Sequence, residues 1–128
     1  MTRHYFDSLS RVLAALVLEE GPSHVDRLAR APSRDLALAY VQEALRDAHS
    51  LIGLSRDAFR VGAAYDLLKG VNAEYLDADV RALASIESYR GLREALALIT
   101  ARALALASRA SSAAAGEGGE VSSGSGGA

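Results

Sequence analysis

Apolar residues at three- and four-residue steps dominate the first half of the chain. Phe6, Leu9, Leu13, Leu16 and Val17 fall on one face of a helix running from Tyr5 or Asp7 to Glu20, and Arg3, Asp7 and Arg11 point elsewhere. Gly21-Pro22 ends it, because glycine tolerates a left-handed cap and proline cannot continue a helix. Ser23 is placed to cap a short second helix that Pro32 stops, with Asp26 three residues on in the position of a capping-box acid. Ser33 then opens a third helix, with Asp35 near its positive end. Its stripe of Ala37, Leu38, Val41, Ala44, Leu45, Ala48 and Ile52 runs as far as Gly53.

Residues 54–76 support two readings. Leu54, Ala58, Val61, Tyr65 and Leu68 fit a helix capped by Ser55 and closed at Lys69-Gly70. Phe59, Val61, Ala63 and Tyr65 also alternate with Arg60, Gly62, Ala64 and Asp66, as in a half-buried strand, and Val71, Ala73 and Tyr75 alternate after Gly70. Gly62 would cost a helix interior about 1 kcal/mol relative to alanine, which tips the expectation toward a short β-hairpin near residues 59–76. A further helix is expected from about Ala78 to Ser88, opened by Asp77 or Asp79, and a last one from about Tyr89 to Ala110. Leu92, Leu96, Ile99, Ala103 and Leu106 line one side of that last helix, and Leu98, Ala101, Leu104 and Ala105 cover much of the rest. A helix apolar nearly all round belongs at the centre of a bundle or gives one face to a neighbouring chain.

The expected fold class is therefore mainly α, a small bundle of about five helices with a small β insertion, over residues 1–110. Residues 111–128 are Ser, Ala, Gly and Glu with one Val; they offer nothing to bury and read as a disordered tail.

Composition changes the picture in three places. Half of the 128 residues are apolar, but much of that half is alanine, with two Phe and no Trp, so the core is thin and built from Leu, Val and Tyr. The net charge of −2 comes wholly from Glu117 and Glu120 and argues against a protein that coats phosphate. Cysteine is absent, which removes disulfides, thiolate metal sites and cysteine nucleophiles. The opening residues do not read as a signal peptide, and no apolar run approaches a membrane span, so a soluble cytoplasmic protein with no membrane contact is expected.

Chemistry is sparse. His4, His24 and His49 sit in different elements without a shared ligand spacing and read as exposed; no metal or cofactor is expected. No nucleophile elbow or phosphate loop occurs, and Ser23, Ser33 and Ser55 read as helix caps. The acid pairs Glu19-Glu20 and Asp77 with Asp79 read as solvated helix ends. No catalytic residue is expected, and the chain reads as a non-enzyme. The arginines remain. Thirteen of the fourteen basic residues are Arg, an imbalance that could signal phosphate binding but that codon bias in a GC-rich genome explains better. Arg27, Arg30 and Arg34 surround the Ala31-Pro32 turn and are the candidate nucleic-acid contacts, although nearby Asp26 and Asp35 could pair with them.

Two stretches carry a family resemblance. Val25-Asp26-Arg27-Leu28-Ala29-Arg30-Ala31 follows a Leu/Val-rich helix and precedes Tyr40-Val41-Gln42-Glu43-Ala44-Leu45-Arg46. Phe59-Arg60-Val61-Gly62, with Tyr65 and Lys69-Gly70, precedes an acidic helix start and a final Ala/Leu helix. In order and spacing, over about residues 8 to 108, these resemble the small subunit of archaeal type I-A CRISPR interference (Cascade) complexes. The resemblance implies a helical fold with a small β element and a non-catalytic antiviral-defence subunit. Such a subunit packs beside other subunits of a crRNA-bound ribonucleoprotein and helps hold unwound target DNA. Pairing reads sequence there, and protein contacts stabilise the opened strands. The near-neutral charge is a departure that argues for weak contact with single-stranded DNA. The competing expectations are a helical adaptor or self-associating protein without a nucleic-acid role, and a small helical enzyme assembled from scattered acids and histidines.

Overall fold

A computed structural model of the chain describes residues 6–123, with side chains placed through residue 113. The described residues form a helical bundle of six α-helices: α1 (Asp7–Glu20), α2 (Ser23–Ala29), α3 (Arg34–His49), α4 (Gly62–Lys69), α5 (Ala73–Ala84) and α6 (Tyr89–Ser123). A single 3-10 turn, Arg56–Ala58, lies between α3 and α4. No strand occurs among the described residues, and no helix among them is long and apolar enough to cross a membrane.

The centre belongs to α1. Val12, Leu13, Ala14, Ala15 and Leu16 are consecutive and all buried, so this helix is enclosed around its whole circumference. The other five helices all pack on it. Helix α6 buries one stripe, Leu92, Leu96, Ile99, Ala103 and Ala107, and leaves the opposite side outside. Each fully buried leucine contributes about 2 kcal/mol, so a core rich in alanine depends on a small set of Leu, Ile and Val. Helix α6 runs on to Ser123, past the expected boundary at residue 110, so residues 111–123 are helical; residues 124–128 lie outside the described residues. The run Ser112-Ala113-Ala114-Ala115 favours continuation of the helix by intrinsic propensity.

The expected hairpin near residues 59–76 is replaced by helices, and Glu19 explains why. Phe59 and Val61 do have extended backbone, which is the true part of the alternation. Their segment has no partner strand. Instead the N–H groups of Arg60 and Val61 donate to Oε1 and Oε2 of Glu19 at 3.0 and 2.6 Å. Val61 is the N-cap residue of α4, so Gly62 occupies the first helical position, where the interior penalty does not apply. A Cβ there would come within 2.8 Å of the Arg56 guanidinium, so the glycine also permits a close approach. Phe59 is buried and meets the Tyr65 ring edge-on, with centroids 5.8 Å apart. The second expected arm is the start of α5. Asn72 caps that helix by accepting from the N–H groups of Glu74 and Tyr75, so α5 begins at Ala73, five residues before the expected start at Ala78.

Other expected boundaries hold or shift slightly. α1 ends at Glu20 with Gly21 at φ 92°, a left-handed conformation that suits glycine. Ser33 caps α3 by accepting from Leu36 N–H at 3.2 Å. Ser23 is not a cap: Pro22 takes that position and Ser23 is the first helical residue.

Candidate functional site

The expected contact residues Arg27, Arg30 and Arg34 lie around one turn but have three different environments. Arg27, on α2, pairs with Glu43 of α3 at 2.9 Å and lies over the Tyr40 ring, 4.5 Å from its centroid. Arg34, the first residue of α3, donates to the carbonyls of Ile86 at 2.8 Å and Ala84 at 2.6 Å. The Ala84 carbonyl is the last of α5 and Ile86 lies in the link to α6, so Arg34 closes a helix terminus and holds the residues that follow it. Arg30 is exposed. Tyr89, the first residue of α6, donates its hydroxyl to the Ala31 carbonyl at 2.6 Å. The Pro32 turn thereby joins the ends of α2 and α5 to the starts of α3 and α6.

Helices α2 and α3 run antiparallel, and two polar pairs zip their outer edge. One is Arg27 with Glu43. The other is His24 with Asp47, whose Nε2 and Oδ2 are 2.7 Å apart. His24, expected to be exposed, is buried, because Val25 and Leu28 carry α2 down onto the core and draw its first turn with them. Glu20 Oε1, at the end of α1, lies 3.8 Å from the same His24 nitrogen. Three potential ligands thus meet where the sequence shows no ligand spacing. His49 is exposed, and His4 lies outside the described residues.

The acid pairs separate in function. Glu19 and Asp79 were expected as solvated helix ends; both are buried and both accept from backbone N–H groups at the start of another helix, Glu19 from Arg60 and Val61 just before α4 and Asp79 from the first turn of α1. Asp79 Oδ2 takes the N–H of Leu9 at 3.0 Å, in the first turn of α1, where Phe6 occupies the N-cap position in a left-handed conformation and supplies no side-chain cap. A buried carboxylate is tolerable only with such donors, and the donors in turn need an acceptor. The signal that could have found them is position: Glu19 lies three residues from core Leu16, and Asp79 lies three from Leu76 and four from Leu83, on the buried faces of their helices.

The outer face of α6 is the largest departure from an ordinary solvated helix. Leu98 is 75% exposed and Leu104 43% exposed, with exposed Ala97, Ala101 and Ala105 between and beside them. Arg90, Arg93 and Glu94 stand at one end of this face and Arg109 at the other. Apolar side chains grouped on a helix and rimmed by charge form a surface suited to another protein.

Fold and surface together define a small all-helical bundle. No family model and no solved structure matches the chain. It is 39% identical over 105 residues to an uncharacterized protein of Archaeoglobus fulgidus, a match that covers 81% of this chain and 89% of that protein. The chain belongs to the family of that archaeal protein.

Proposed function

We propose that the chain is a non-catalytic subunit of an RNA-guided CRISPR interference complex, acting in the cytoplasm in antiviral defence. It packs against neighbouring subunits through the outer face of α6 and helps hold unwound target DNA. The observation that carries the assembly role is the exposed Leu98–Leu104 face, with small residues that let another backbone approach closely. The kind of assembly comes from the resemblance in order and spacing of the helical segments. The chain departs from that resemblance in lacking the small β element among its described residues. Contact with single-stranded nucleic acid falls chiefly to Arg30, since Arg27 and Arg34 already serve α3 and α5, and is expected to be weak and salt-sensitive.

A second reading, a helical adaptor or self-associating protein with no nucleic-acid role, is favoured by that same engagement of Arg27 and Arg34 within the fold. One reconstitution separates the two. The chain is mixed with crRNA-loaded effector proteins encoded in its own genome, and incorporation is followed by size-exclusion chromatography. The wild type is expected to enter the complex, and the double variant Leu98→Asp, Leu104→Asp to stay outside it while keeping its helical spectrum. A wild-type chain that ignores the loaded complex and forms only dimers or higher oligomers transfers the case to the adaptor.

A further inference from the structure

Glu20, His24 and Asp47 come from three different helices and converge on one nitrogen. Glu20 is the last residue of α1, His24 the second of α2, and Asp47 lies two residues before the end of α3. The turn at Gly21-Pro22 breaks the helix between Glu20 and His24, so their proximity is a product of the fold rather than of a continuous helical face. One oxygen of each carboxylate and a ring nitrogen of His24 lie within 4.8 Å of one another.

A hydrogen bond explains only half of this. His24 with Asp47 repeats, one turn along, what Arg27 with Glu43 does for the α2–α3 edge. A neutral ring nitrogen carries one proton and serves one acceptor, so the second carboxylate at 3.8 Å is left over by that account. A cation accounts for both. Metal–ligand bonds of about 2.0–2.2 Å place neighbouring donors roughly 3.0–3.5 Å apart. The observed separations of 2.7 Å and 3.8 Å lie on either side of that range. Small movements of the two carboxylates would equalise them. These side chains have that freedom, being 40% and 48% exposed, whereas the His24 side chain is 10% exposed and held by the core.

From this geometry we infer that Glu20, His24 and Asp47 form a binding site for a divalent transition-metal cation, zinc above others. One imidazole nitrogen and two carboxylate oxygens, without thiolate, suit zinc and to a lesser degree manganese, and are a poor match to soft copper(I). The exposed side of the two carboxylates leaves the remaining coordination positions to water, so the ion would be exchangeable. On binding, the proton shared between His24 Nε2 and Asp47 goes to solvent and the metal takes its place. The bound ion would tie α1, α2 and α3 together at one point. None of this depends on the partner proposed for α6.

The test uses the full chain without a metal-binding tag, stripped of metal and titrated with zinc chloride by calorimetry, with cobalt(II) absorption as a report on the ligand set. The expected result is one zinc per chain, a higher thermal midpoint in zinc, and cobalt bands that zinc displaces. Glu20→Ala should weaken zinc binding by about tenfold or more while leaving the metal-free midpoint nearly unchanged. His24→Ala should abolish binding, and Glu43→Gln, which breaks the neighbouring pair, should bind as the wild type does. If His24→Ala does not fold, the Glu20→Ala result decides. Absence of saturable binding, or zinc affinity undiminished in Glu20→Ala, overturns the assignment.

Discussion

Glu19 and Asp79 each complete a helix that is not their own. Glu19 reaches from the end of α1 to the entrance of α4, and Asp79 from α5 to the entrance of α1. Truncating Glu19 to alanine leaves the Arg60 and Val61 N–H groups without their acceptor in a partly buried place. The expected loss is about 2–4 kcal/mol of unfolding free energy, read by urea denaturation. Asp79→Ala removes the acceptor for Leu9 N–H and should cost about 1–2 kcal/mol in the same assay. The exposed pair of Arg90 with Glu94 provides the contrast: Arg90→Ala should change stability by less than about 0.5 kcal/mol. Charge alone therefore does not rank these residues. The ranking follows how many donors each would strand out of water.

At the scale of elements, the turn at Gly21 and the cap at Asn72 decide where helices start and stop. Gly21→Ala puts a Cβ on a backbone held at φ 92° and is expected to cost about 1 kcal/mol or more, seen as a lower thermal midpoint. Because Gly21 sits between Glu20 and His24, the same variant should also weaken zinc binding. Asn72→Ala should cost about 1 kcal/mol by uncapping α5. What the sequence shows of these elements depends on how local their causes are. α1 and α3 were legible because their stripes and the Ser33 cap are written within a few residues of each other. The α4–α5 region was not, because the acceptor that satisfies Arg60 and Val61 stands about forty residues upstream. Alternation around Phe59 correctly signalled extended backbone, but a carboxylate took the role of a neighbouring strand. The His24 cluster was hidden for the same reason: its members share no helix, and Asp47 is 23 residues away from His24.

For the whole molecule, the two sides of α6 make opposite demands. Leu96 faces the core and Leu98 faces outward, two residues apart. Leu96→Ala should lose about 2–5 kcal/mol through lost burial and the cavity left behind, measured by denaturation. Leu98→Asp should leave stability within about 0.5 kcal/mol and act only on association. The sequence showed that α6 was apolar on most sides without saying which helix would be central. Leu/Val-rich α1, with Ala14 and Ala15 letting neighbours approach closely, took that place and left α6 one face free.

The Pro32 turn has a mechanical consequence. Arg34 and Tyr89 latch four helix ends to it, whereas the stretch from Leu51 to Ala58 is held mainly by its own local backbone bonds and is largely exposed. Two connections of similar outward character should thus open at very different rates. Amide exchange and limited proteolysis should strike first between α3 and α4, and an enzyme that favours arginine should cut after Arg56 long before it cuts after Arg30.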